Sequence, residues 1–269
     1  MQLSILRSLA LVAVGNAALK GDDVSAFWPG GDLFKYSKQT EFVVQRGDRY
    51  EQAAPDPLAW FEKLKSLGCR GLRLHRAPMQ QRAGIGPQKE RMLVGMVGGG
   101  PRWLVETVMP ARREVWEGYD RLGHKDDPQQ QIWLSAYVLV GEVESGEVVE
   151  GDVAAATADL RGALTDIEVF ARSLPDAPFA DFFASAQKAL DGAKGAEPDM
   201  AFVALTRLSE DAKRLLRAVQ GAWVFAGMGS WNDLGVDKTH EARYEATSEA
   251  LFLSLQRAVL AIANSTYAA

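Results

Sequence analysis

The chain has one cysteine in 269 residues, Cys69, and three histidines, His75, His124 and His240. A single thiol excludes an intramolecular disulfide and fits a reducing, cytoplasmic setting. On its own, Cys69 reads as a small buried apolar side chain at a helix-to-strand junction. No two histidines have metal-ligand spacing, and there is no His-Glu-x-x-His or Cys-x-x-Cys, so the sequence points to no metal and no cofactor. A P-loop, a dinucleotide glycine fingerprint, a kinase motif set and an EF-hand loop are missing too. Gly-x-Ser-x-Gly is missing as well, and Gly227-Met-Gly-Ser230 does not keep its spacing.

Excess positive charge is also missing. The net charge is −5, which argues against a nucleic-acid partner for the chain as a whole. Apolar runs are short. The stretch between Arg7 and Lys20 could be read as a signal-peptide core, but its basic start is only Arg7 and it is too short to span a bilayer. It reads instead as a core helix with apolar residues on most sides, wedged between other elements. No other segment approaches membrane-spanning length, so no membrane partner is expected.

What is present is ordinary for a globular protein: 47% hydrophobic and 24% charged residues, without low-complexity tracts. The pattern changes character near residue 150. Before it, Leu33–Ser37, Thr40–Gln45, Arg70–Arg76, Arg102–Val108, Arg113–Tyr119 and Gln131–Val140 read as extended segments, with neighbours joined by short polar connections and therefore antiparallel. Asp56-Pro57 begins a short helix carrying Leu58, Phe61, Leu64 and Leu67, because Asp accepts a free N–H and Pro has none to lose. After residue 150 the period is helical. Leu160, Leu164, Ile167 and Ala171 form one stripe after an Asp152 cap; Phe179, Phe182, Phe183, Ala186 and Leu190 form the next. Ala212, Leu215, Leu216, Val219 and Trp223 follow Ser209, and Tyr244, Leu251, Leu255, Ala258 and Ile262 form the last. Residues 198–207 suit a further short helix. The expected fold is α+β: an antiparallel sheet of about five strands over residues 33–143, packed with the N-terminal helix and four to five C-terminal helices. Residues 1–269 are expected to form a single domain, the mostly β half 1–150 and the all-α half 151–269 sharing one core, with 144–152 as the best candidate boundary.

Three features are candidates for chemistry. The first is Gly221–Asp233, which holds two Trp, one Phe, two spaced glycines and an Asn-Asp pair. Trp223 and Trp231 suit the walls of a ligand pocket and Asn232 and Asp233 its orienting groups; the same residues also suit a helix C-cap and a self-satisfied turn. The second is charge. Arg70–Arg113 holds nine basic residues against Glu90 and Glu106, a surplus of seven that leaves −12 on the rest of the chain. Alternation puts Arg73 and His75 on one face of a strand and Leu72 and Leu74 on the other, with Arg76 turned towards the leucines. A basic sheet face suits an anionic small molecule or an acidic protein partner; it also suits a solvated face neutralised by ion pairs. The glycines of Gly98-Gly-Gly-Pro-Arg102 suit a mobile loop. The third is histidine: His75, or His240 with Asp233, would be the proton-moving groups of an enzyme. Two functions follow. One is a soluble, non-catalytic binding or interaction protein using the basic face or the aromatic-glycine loop. The other is a hydrolase or transferase for an anionic substrate, bound by Arg73 and Arg76.

Overall fold

The computed structural model describes residues 1–79, 89–96, 99–142, 150–193 and 200–267. Arg82, Gly98 and most of the candidate boundary 144–152 lie outside them. The chain opens with helix α1 (Leu3–Leu19). Strands β1 (Ser37–Arg46) and β2 (Arg49–Ala54), helix α2 (Pro57–Ser66), strand β3 (Leu72–Ala77) and the single turn α3 (Glu90–Leu93) follow. Strands β4 (Arg102–Val108), β5 (Arg113–Leu122) and β6 (Trp133–Glu142) complete the sheet. Helices α4 (Val153–Arg172), α5 (Ala180–Leu190), α6 (Glu210–Gly221) and α7 (Lys238–Asn264) form the second half, with a 3₁₀ turn at Ala201–Leu205 between α5 and α6.

The six strands form one mixed sheet in the order β2-β1-β6-β5-β4-β3, and every pair is antiparallel except β1 with β6. Two expectations are corrected here. The sheet has six strands, because Arg49–Ala54 pairs with β1 across a tight turn at Gly47-Asp48, where Gly47 has φ +60°. That turn is a hairpin signal, but Arg49-Tyr-Glu-Gln lacks the apolar alternation by which a strand is recognised. The sheet is also not wholly antiparallel. β1 and β6 are distant in sequence, so no short connection announces their pairing, and parallel neighbours need a long crossover. Leu33–Tyr36, read as extended, form a turn whose Leu33 and Phe34 are buried.

Helices α1, α2 and α7 pack on the sheet. The face they cover carries Leu72, Leu74, Val105 and an aromatic cluster in which the Phe42 ring stacks on Trp60 at 4.0 Å and on Tyr137 at 5.3 Å. α1 lies between this face and the helical half, touching β3 and β4 on one side and α7 and the Ala201–Leu205 turn on the other. Its close approach requires glycine at position 15, since a Cβ there would sit 2.3 Å from Leu72 Cδ1 and 2.8 Å from Phe61 Cε1. Buried apolar residues of α1, the sheet and α4–α7 form one contiguous cluster.

One helix does reach membrane-spanning length. α7 has 27 residues, and its apolar part has the composition of a span. In the fold that part is core: Leu251, Leu255, Ala258 and Ile262 are fully buried.

Candidate functional site

On β3, Leu72 and Leu74 take the helix-covered face and Arg73 and His75 the opposite one. The strand register continues that opposite face across the sheet, setting Arg73 beside Glu106, His75 beside Leu104, Leu104 beside Glu117, and Glu117 beside Val138. Two rows of charge are fixed on it. In the first, the fully buried Glu106 receives His75 Nε2 at 2.6 Å on one carboxylate oxygen and Arg113 Nε on the other. In the second, Arg102 Nε donates to Glu117 Oε1 at 2.7 Å, and the Tyr119 hydroxyl donates to Glu117 Oε2 at 2.8 Å.

Burial pushes the Glu106 carboxyl up, but the hydrogen bonds and positive charge of His75 and Arg113 more than offset it and hold the group at about 2. Glu106 is therefore a carboxylate at neutral pH and can only accept, so the Nε2 of His75 carries the shared proton. Burial and the bond to Glu117 push the Tyr119 phenol up to about 12, which keeps it a donor. Between the charged rows lie apolar side chains: Val115 is buried, Leu104 and Val138 are half-buried, and Val140 at the end of β6 is exposed. No described helix covers this face.

The basic surplus is mostly neutralised. Arg76 bonds Glu90, Lys89 bonds Glu245, Arg102 bonds Glu117, Arg112 bonds Glu114 and Arg113 bonds Glu106. Arg91 reaches Glu245 at 2.9 Å and Glu249 at 3.8 Å. Most of these acids lie in the sheet half itself, not in the helical half. Arg73 instead stacks over the Tyr267 ring at 4.0 Å. Arg73 and Arg76, paired in sequence as anion binders, are on opposite faces of β3.

The aromatic-glycine loop is engaged internally. Trp231 is fully buried, donates from Nε1 to Ser248 Oγ at 2.7 Å, and stacks on Tyr244 at 5.6 Å. Asn232 accepts from Arg91 Nη1 at 2.6 Å and donates to the carbonyls of Arg91 and Phe225 at 2.8 and 3.0 Å. Asp233 accepts from the N–H of Ser230 at 2.8 Å and closes a capping box with it. Trp223 is half-buried, not largely buried as its stripe implied, because α6 ends at Gly221 and the residue falls beyond the helical period. His240 sits in the first turn of α7, against the Phe170 ring at 6.4 Å, while Asp233 stays with Ser230. His124 is exposed, and Cys69 is buried, with burial raising its thiol. Among the described residues no group of three or more His, Cys, Asp or Glu is placed to hold a metal.

Sequence reasoning missed Glu106, Arg113 and Glu117, the residues that organise the open face. A signal for Glu106 existed. It is one of two acids in a strongly basic stretch, at the centre of an apolar strand, and such a carboxylate is buried only with cations around it. No known protein family, curated protein or solved structure matches this chain.

Proposed function

We propose that the protein is a non-catalytic interaction protein that docks a protein partner on the open face of its sheet. One observation carries the reading: helices pack on one face, while the other carries the half-buried Leu104 and Val138 and the exposed Val140 between cations already held by the buried Glu106 and Glu117. Interfaces have this composition, with an apolar centre and a polar surround whose groups are satisfied before the partner arrives. Because Glu106 and Glu117 neutralise neighbouring arginines, the face suits a partner of mixed charge better than a polyanion. The aromatic-glycine loop supports the reading less, since its Trp231, Asn232 and Asp233 are already bonded within the fold. A cytoplasmic setting goes with it, as one buried cysteine requires no oxidising compartment.

The second reading, an enzyme for an anionic substrate, draws on the same His75–Glu106 pair, because a carboxylate that orients an imidazole is a common acid-base arrangement. It is less favoured because Arg73 and Arg76 do not converge on one side. Two variants separate the readings. Val140→Lys places a charge on the exposed end of the apolar strip and should weaken a purified binary complex at least tenfold while leaving the melting temperature within about 2 °C of wild type. His75→Gln should leave that complex intact. If Val140→Lys binds every partner as wild type does, the docking face is wrong. If His75→Gln abolishes a measurable hydrolysis or transfer, the enzyme reading takes its place.

A further inference from the structure

The sulfur of this chain is unevenly placed. Its one thiol, Cys69, is buried, and burial pushes it up, so little thiolate is offered to an oxidant. Of the seven methionines, Met109 is 8% exposed and Met1, Met79 and Met200 are half-buried, whereas Met92, Met96 and Met228 are 44, 62 and 103% exposed. The three exposed ones come from two segments that meet. Gly95, just after α3, approaches the aromatic-glycine loop so closely that a Cβ on it would sit 3.4 Å from Ala226 Cα and from Gly227 N. Met228 stands at the tip of that loop, between Gly227 at φ +99° and Gly229 at φ +72°. A Cβ on either glycine would meet nothing within 4 Å, so solvent reaches Met228 from both sides. The base of the tip is closed beneath it. The Trp231 N–H donates to the Val224 carbonyl at 2.9 Å, Asn232 Nδ2 donates to the Phe225 carbonyl at 3.0 Å, and Phe225 and Trp231 are buried.

We propose that Met228 is a site of reversible oxidation by hydrogen peroxide, the first to react in a surface patch of three methionines. The thioether sulfur attacks one peroxide oxygen; the S–O bond forms and the O–O bond breaks. The proton on the transferred oxygen passes to the departing one, so the products are the sulfoxide and water. Sulfur loses two electrons and the peroxide gains them. A thioether has no proton to lose, so access decides which methionine reacts first, and Met228 has the most. The fold keeps the change reversible. The Met228 side chain is fully exposed above a base that is bonded without it, so a sulfoxide there stays in water and within reach of a reductase. Met109 is the contrast, because a sulfoxide there would set a polar group inside the apolar core. Oxidation at the tip turns an apolar surface side chain into a polar one and leaves the core alone.

The test treats the full chain with hydrogen peroxide and follows the sulfoxide at each methionine over time by peptide mass spectrometry. Met228 should react within about twofold of the rate of N-acetylmethionine amide, Met96 and Met92 more slowly in that order, and Met109 about tenfold or more below Met228. Protein oxidised at Met228 alone should melt within about 2 °C of the untreated chain, as suits a change confined to the surface. Methionine sulfoxide reductases of both epimer specificities should together return it to its original mass. Met228→Leu should lose the fast event and leave the Met109 rate unchanged. A Met228 that reacts no faster than Met109 would overturn the site. A melting temperature lowered by more than about 5 °C on oxidation of Met228 alone, or a sulfoxide that the reductases leave in place, would overturn its reversibility.

Discussion

Replacing Glu106 with glutamine isolates the charge that organises the open face. The side chain keeps its size, so the change removes the carboxylate's charge and turns one of its two accepting oxygens, bonded to His75 and Arg113, into an amide NH2 that can only donate. In the folded protein the group titrates at about 2, against an ordinary value of 4.5. A depressed carboxyl contributes stability that is fully present above its unfolded value and lost as pH falls through its folded one. The difference between those values corresponds to about 3 kcal/mol at neutral pH. Breaking a buried pair from one side typically costs about 3–5 kcal/mol, so two independent routes give the same scale. Glu106→Gln should therefore be about 3 kcal/mol less stable than wild type near neutrality.

The pH dependence makes the reasoning refutable. Urea unfolding of both proteins is measured from pH 5.5 downward, and only the difference between them is read, so that every other carboxylate cancels. The gap should hold its full size down to about pH 5, shrink between 4.5 and 2, and approach zero at the acid end. A gap that stays constant down to pH 2.5 would show that the variant suffers from packing and not from lost charge. No gap at any pH would show that His75 and Arg113 gain nothing from Glu106.

Trp231→Ala should cost about 3–5 kcal/mol by denaturant midpoint, since the side chain is fully buried and its Nε1 bonds Ser248; an unchanged midpoint would place the indole outside the core. Asn264→Ala should cost about 2–4 kcal/mol, because it strips both the N–H and the C=O of the fully buried Leu74 of their partner. Its sharper readout is hydrogen exchange, which should speed up at Leu74 and not at Leu72, whose backbone bonds go to Asn16. A fragment ending at Gly151 should bind a hydrophobic dye and melt without cooperativity, because α1 would lose the apolar surface of α7; a sharply melting monomer would show that the sheet half folds alone.

What could be read from the sequence was local. Asp56, Asp152 and Ser209 each cap the helix expected of them, accepting from the backbone N–H three residues on at 2.8, 3.0 and 3.2 Å. The alternation of β3 was legible for the same reason, since period two needs only neighbours. The sheet order was not, because β1 meets β6 across most of the sheet half. Nor were the buried arginines. Arg7, the one basic residue of an apparent leader, reaches Leu33 O, Ser37 Oγ, Asp120 Oδ1 and Ser135 Oγ at 2.8, 2.6, 3.0 and 3.0 Å. Its partners come from the loop after α1 and from three strands, and nothing near residue 7 foretells them. Arg91 is equally hidden, because Asn232 and Glu245 lie far along the chain. The open face was legible in part: Arg73 and His75 could be assigned to it, whereas the buried carboxylate that turns their strand into an ordered surface stands on β4.

The sheet's edges bear on how a partner can approach. β3 is closed by two asparagines: Asn16 from α1 accepts from Leu72 N at 2.7 Å and donates to Leu72 O at 3.0 Å, and Asn264 from α7 does the same for Leu74 at 2.7 and 2.9 Å. Each side chain supplies the pair of hydrogen bonds that a further strand would make. β2 is defended otherwise. It is short, carries Arg49 and Glu51, and has an irregular register against β1 between Phe42 and Val43. Lys63 of α2 takes the Ala53 carbonyl at 2.9 Å. Short length, charge and a bulge are the usual means of discouraging strand addition. With one edge filled by side chains and the other blunted, backbone pairing is a poor route to the sheet. The docking proposed above therefore rests on side chains of the open face, where Glu106 and Glu117 already hold the surrounding cations in place.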